Sequence, residues 1–436
     1  MNHPAEKRRI GIFQADWPLQ SQTANCAFML ARAGYEVDLF LNNVPQYFDI
    51  QSSPEFQENP NIHLHIYGNR EDDLHFPFPL RSNKIFLKKL NTLMARLFLR
   101  MLITMRWKQS VINEAVLKQS ADFIEGKNFR LFIGIEKKGL LWAGNMGDRF
   151  SCPYLYYSLE LYTKDHPDAM LTYLDRQIKK AEAVYHKKAA ATIIQDAARA
   201  CVLFEDNGVP PDGLTFYVPV SLLGAARQER SSFFNYKYKL PPTQKIILQF
   251  GLFYNRRFSA ELIDVARQFT SDSTLVLHGY SLSESYQNII ENKCHDKFIF
   301  SNELVPSEQI IDVISSADIG LVFYTAETDN DLLTAFASEK LALYLQQGKP
   351  IVAFDYPGYR KLINECECGV LIHSLSELPQ AISTILADWD RYSRNAVKCF
   401  NKYYNYSDNF TPVIEWLNRN LKPQEVLPLG KVMHDC

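Results

Sequence analysis

Residues 338–354 read SEKLALYLQQGKPIVAF, and this stretch decides the fold. Ser338 stands where a helix N-cap is expected, and Leu341, Leu343, Tyr344 and Leu345 supply the apolar positions of a short helix. Gly348 ends that helix, Pro350 opens a strand, and Ile351 to Phe354 is apolar throughout. A helix start between two strands leaves free backbone N–H groups at one end of a sheet, where anions are bound. Ser338, Glu339, Lys340 and Leu341 are therefore the first candidate binding residues. A plain capping role for Ser338 is compatible with an anion contact.

The same alternation extends in both directions. Downstream of Pro241-Pro242, strands are expected at Lys245–Phe250, Thr274–His278, Phe298–Phe300, Asp318–Tyr324 and Gly369–Ile372, with helices at Ala260–Phe269 and Ser307–Ser316. Upstream, a strand at Arg9–Phe13, a helix at Thr23–Ala33 and a strand at Glu36–Leu41 make a βαβ unit. Further apolar runs lie at Ile62–Tyr67, Leu131–Ile135, Tyr154–Tyr157, Ala191–Gln195 and Thr215–Val218. The pattern predicts two open, mostly parallel α/β halves joined by a polar linker at about residues 219–243. A last helix is expected at Asn409–Leu421.

Composition agrees with two ordinary globular domains. The 436 residues are 47% hydrophobic and 22% charged, too long a chain for one ordinary core. A net charge of −2 gives no general attraction to nucleic acid, so none is expected as a partner. No run of about 18 uncharged apolar residues suggests a membrane span. The eight cysteines form no CxxC pair and read as reduced thiols, which predicts a cytoplasmic protein.

Four segments of the second half, in order, resemble the nucleotide-sugar glycosyltransferases of the GT-B fold, two Rossmann-like domains facing across a cleft. They are IILQFGLFYNRR (246–257), LVLHGY (275–280), FIFSNELVPSEQIIDVISSADIGLVFY (298–324) and SEKLALYLQQGKPIVAF. PYLYYSLELYTKD (153–165) and ATIIQDAARA (191–200) match less closely. The resemblance implies an acceptor domain over 1–225, a donor domain over 226–405, and a terminal helix and tail over 406–436 that return to the first domain. It also implies that Gly251, Arg256 and Arg257 meet the donor diphosphate, and that Gly279, Tyr280 and Val305 lie near the nucleotide. Many members carry two glutamates eight positions apart. Here those positions are Ala335 and Leu343, so both carboxylates are missing.

The expected chemistry is transfer of a hexose-type sugar from a UDP- or GDP-sugar to a hydroxyl acceptor. Negative charge grows on the diphosphate as the sugar–phosphate bond breaks, and cations with N–H donors stabilise it. Arg256, Arg257, Lys340 and the amides near Ser338–Leu341 could do this without a metal or other cofactor. Asp329 and Asp331 have a metal-binding spacing but lie in a polar loop. On the acceptor side, Asp16 follows the first strand and Glu160 follows another; either could take a proton from the acceptor. Each also has an ordinary reading, as a turn or surface carboxylate. The missing glutamates leave two rivals open: a non-catalytic scaffold that binds a partner, and a sugar-nucleotide epimerase or hydrolase.

No acidic residue lies between Leu74 and Asn113, where Arg81, Lys84, Lys88, Lys89, Arg96, Arg100, Arg106 and Lys108 interleave with apolar residues at helical spacing. Residues 81–113 read either as an amphipathic helix on an anionic membrane surface, placing the protein at the inner face, or as a helix packed on the first sheet. Liposome binding abolished by charge reversal at Lys88, Lys89 and Arg96 would mark the first reading. Such a surface would suit a lipid-linked acceptor or polysaccharide precursor.

Overall fold

The computed structural model describes residues 8–15, 19–42, 59–67, 114–166, 173–281 and 283–421. Candidate Asp16 and the basic stretch 81–113 lie outside them. The first sheet has seven strands: β1 (Arg9–Gln14), β2 (Glu36–Asn42), β3 (Ile62–Tyr67), β4 (Phe129–Ile135), β5 (Tyr154–Tyr157), β6 (Ala191–Ile194) and β7 (Thr215–Tyr217). Their spatial order is β3-β2-β1-β4-β5-β6-β7. The second sheet has six: β8 (Lys245–Phe253), β9 (Ser273–Ser281), β10 (Phe298–Asn302), β11 (Ile319–Val322), β12 (Ile351–Phe354) and β13 (Gly369–Ile372), in the order β10-β9-β8-β11-β12-β13. Neighbouring strands pair in parallel in both sheets.

This is the expected pair of Rossmann-like sheets. Strand order reverses between β1 and β4 in one and between β8 and β11 in the other. Such switch points open a crevice at the carboxyl ends of the strands. Central strands such as β12 are buried on both faces, which explains their unbroken apolar sequence.

The terminal helix runs Tyr406–Asn420, and Tyr406, Phe410, Val413 and Leu417 are buried in the first-domain core with Ile10, Leu39 and Ile133. The chain thus crosses back after finishing the second sheet. Two readings need correction. Part of the polar linker is a short helix, Phe233–Lys237, because Phe234 buries fully against the second core. The expected helix over Ser307–Ser316 begins as a 3₁₀ turn at Ser307–Gln309 and becomes α-helical only at Ile310–Ser315. Among the described residues, no helix is long and apolar enough to cross a membrane, and the cysteines are free thiols.

Candidate active site

The second-domain wall of the crevice is built at the β8–β11 switch point. β8 and β9 run together to their ends, pairing Gly251 with Gly279. Gly279 has φ +145°, and a Cβ there would lie 1.9 Å from the Gly251 carbonyl oxygen. Only glycine permits this approach. Gly251, at φ +112°, faces open space. After β8 a 3₁₀ turn, Asn255–Arg257, carries both candidate arginines. Gln249 Nε2 donates to the Arg257 carbonyl at 2.6 Å and anchors that turn.

Tyr324, just beyond β11, is buried and receives two cations. The Arg257 guanidinium carbon lies 3.9 Å from its ring centroid and Lys340 Nζ lies 5.1 Å from it. Tyr254 adds a further ring 5.0 Å from Arg257. Each contact is a cation–π arrangement, which holds a cation without neutralising it. Arg257 Nη1 also meets Asp331 Oδ1 at 3.2 Å, and Arg256 Nε meets Glu327 Oε2 at 3.2 Å. Lys340 has no carboxylate within ion-pair distance among the described residues. Burial, with repulsion from Arg257, lowers its pKa to about 7. A bound anion would favour the charged form and offset both effects.

Ser338 caps the helix Glu339–Gln346. Its Oγ accepts from Leu341 N at 3.3 Å and pairs with the Tyr324 hydroxyl at 2.7 Å. The Leu341 amide is therefore occupied within the protein, and its side chain is buried. The amides of Glu339 and Lys340 precede any intrahelical acceptor. The Glu339 carboxylate accepts from Ser21 Oγ of the first domain at 2.5 Å, and desolvation at that contact raises its pKa. Tyr280 is half-buried at the end of β9, and Val305 packs against the second core. Asp331 is buried at the end of its own cap, holding Arg257. Ala335 and Leu343 are both buried in the second core, away from any ligand role.

The first-domain wall centres on Glu160, which follows β5. Its side chain is exposed, and Asn330 of the second domain donates Nδ2 to its Oε2 at 2.8 Å. Its charge is felt by Tyr254 and Tyr324 as well as by Arg199. Two residues that the sequence reading missed shape this wall. Glu136, the first residue after β4, turns at φ 60° and accepts from the amides of Leu159 at 2.6 Å and Glu160 at 2.8 Å. Arg199 is fully buried, donating to Gln195 Oε1 at 2.6 Å, Leu159 O at 2.9 Å, Asn330 Oδ1 at 3.0 Å and Leu333 O at 3.2 Å. Gln195 and Asp196 are structural: Asp196 caps the helix Ala197–Asn207, and Gln195 holds Ser158 O. His278 is a buried strand residue paired with Ser301.

Two parallel α/β domains, a cationic crevice between them and a returning terminal helix define the GT-B architecture. Residues 265–407 match the family model of the Glucosyltransferase 3-like C-terminal domain, in keeping with the resemblance read from the sequence. No curated protein matches the sequence significantly. Among solved structures, Anabaena Alr3699/HepE in complex with UDP and glucose is similar, with a TM-score of 0.63 at 14% identity over 94% of this chain and 100% of that one. Sucrose-phosphate synthase from Thermosynechococcus elongatus gives 0.62 at 16% identity over 95% and 99%. An α,α-trehalose-phosphate synthase (UDP-forming) from Burkholderia vietnamiensis gives 0.59 at 9% over 94% and 98%. At these identities the likeness establishes the shared fold.

Proposed function

We propose that this chain is a glycosyltransferase that moves a hexose-type sugar from a nucleotide diphosphate sugar, UDP-sugar first among the candidates, to a hydroxyl acceptor. The observation that carries the reading is the convergence of Arg257 and Lys340 on the face of Tyr324, at a strand-order switch point. Two like charges are held together there, and one lacks an acidic partner among the described residues. A diphosphate relieves their repulsion, and its charge grows as the sugar leaves. The Glu339 and Lys340 amides at the helix start add N–H donors. The similar structures that hold UDP or name a UDP-forming reaction support a uridine donor.

In this reading the bond between the sugar anomeric carbon and the phosphate oxygen breaks. The nucleoside diphosphate departs with the electron pair. The acceptor oxygen bonds the anomeric carbon, and its proton passes to the Glu160 carboxylate. The cations take the part that a divalent ion plays elsewhere, so turnover proceeds in the presence of a chelator.

Calorimetric titration with UDP, GDP and ADP, followed by nucleotide release from UDP-glucose, UDP-galactose and GDP-mannose, tests the proposal. One nucleotide binds, and it is released from its sugar donor faster when a hydroxyl acceptor such as octyl glucoside is supplied. Arg257→Ala and Lys340→Ala each lower turnover about 100-fold or more, the scale for removing one charge-stabilising donor. Unchanged turnover in both variants overturns the site. Binding of no nucleotide overturns the function and favours a partner-binding scaffold.

A further inference from the structure

Asn330 belongs to the second domain, yet its side chain serves the first. It sits in the single helical turn Asp329–Leu332. Its Oδ1 accepts from two obligatory donors, Leu161 N at 2.9 Å and Arg199 Nη2 at 3.0 Å. That fixes the amide orientation, so Nδ2 must face the Glu160 carboxylate, which it meets at 2.8 Å. Among the described residues no other side chain donates to that carboxylate. Both partners are held by rigid surroundings. Thr328 Oγ1 donates to Asp331 Oδ2 at 3.0 Å and accepts from Asp331 N at 3.1 Å, and Thr334 Oγ1 donates to Asp331 O at 3.0 Å. On the other side, Glu136 grips the Leu159 and Glu160 amides, and Gln195 grips Ser158 O at 2.7 Å.

We infer that Asn330 is a positioning residue for the transfer reaction. It aims the Glu160 carboxylate from the opposite domain, so that the base is set only while the two domains meet through this turn. A neutral amide on Oε2 leaves Oε1 open to receive the acceptor proton. Because Asp331, next in sequence, holds Arg257, one turn of helix links the donor-side cation to the acceptor-side base. The inference rests on Glu160 being the base, as proposed above.

The test compares Asn330→Ala, Asn330→Asp and Glu160→Gln in the full-length protein. UDP release from the donor selected above is followed, with UDP titration as the check on folding and donor binding. Aspartate retains an acceptor for Leu161 N and Arg199, so it keeps those structural contacts while setting a second carboxylate against Glu160. It removes the donor to Glu160, so it does not rescue positioning. We expect kcat to fall about 10- to 100-fold in both Asn330 variants, the scale for a misplaced reacting group, with donor KM within about threefold of the parent. Wild-type kcat in Asn330→Asp, beside an inactive Glu160→Gln, overturns the positioning role alone. Full activity in Glu160→Gln overturns the base assignment and this inference with it.

Discussion

The two walls of the crevice treat charge in opposite ways. On the second-domain wall, Arg257 and Lys340 rest on aromatic faces, and Lys340 has no carboxylate partner among the described residues. On the first-domain wall, Arg199 is sealed in, with its donors placed on carbonyl and amide oxygens. Cations thus do two jobs, with Arg257 shared between the Tyr324 ring and Asp331 and Lys340 left to the ring. A cation lodged against a ring keeps its field and can be neutralised by a ligand. A cation saturated by protein oxygens fixes geometry and has little left to offer one. On the reading proposed above, the wall that binds and the wall that is built can be told apart by asking which charges remain unanswered among the described residues.

Arg199→Met attacks the built wall and is expected to have the largest effect. It takes the buried donor from Gln195 Oε1 and Leu159 O, and one donor each from the half-buried Leu333 O and from Asn330 Oδ1, which keeps Leu161 N. Stability should fall by about 3 kcal/mol or more, since each buried unsatisfied group costs about 1–3 kcal/mol. Urea denaturation measures it. A loss under about 1 kcal/mol would mean that the buried arginine is not what ties the walls together, and the contrast drawn above would fail.

Gly279→Ala attacks the binding wall through its backbone. The new Cβ meets the Gly251 carbonyl oxygen and sits at a positive φ, so the ends of β8 and β9 must part. A loss of about 2 kcal/mol is expected, from backbone strain of about 1–3 kcal/mol with the clash added. Gly251→Ala is the matched control: it bears the positive φ alone, because nothing lies within 4 Å of its Cβ. Equal losses in the two variants would show that the close approach of these strands does not shape the site.

The layout of the second-domain wall was largely legible in the sequence, because its parts are local. A strand, a glycine and two arginines lie within residues 246–257, and the cap, the lysine and the helix lie within 338–346. Local chemistry dictates each: the Ser338 side chain caps its own helix, as its position suggested. The built wall was not legible in the same way. Arg199 reads as an ordinary basic residue in the first turn of a helix until Asn330 is brought beside it from 131 positions away. Glu136 reads as a helix-start acid until its turn aims it at the loop after β5. Tyr324 was placed at a strand end, but its two cations come from separate segments. The TDND run at 328–331 carried a visible signal, in a cap followed by adjacent amide and acid, though not the partner of either. Pattern reveals what a residue does for its own element; only the fold reveals what it does for another.

The smallest expected effect is also the most specific. Lys340 is half-buried, and its pKa of about 7 lies below the ordinary lysine range, with desolvation the larger cause and Arg257 the smaller. Between these values the unfolded chain binds the proton and the folded protein does not. Stability of the unliganded protein should therefore rise with pH from about 7 upward, because the charged form is the one burial penalises. A diphosphate reverses the preference. Binding UDP-glucose above pH 7 should take up a proton, so affinity should fall as pH rises, by at most tenfold or about 1.4 kcal/mol per unit. UDP-glucose suits the test because its diphosphate has no terminal phosphate to titrate in this window. Calorimetry in buffers of different ionisation enthalpy reads the proton directly. Lys340→Ala should bind more weakly and lose the slope. Stability and affinity that move in opposite directions with pH mark a cation kept for a ligand. If both rose together, or the slope survived in the alanine variant, Lys340 would belong to the built wall, and the division between the two walls would have to be redrawn around Arg257 alone.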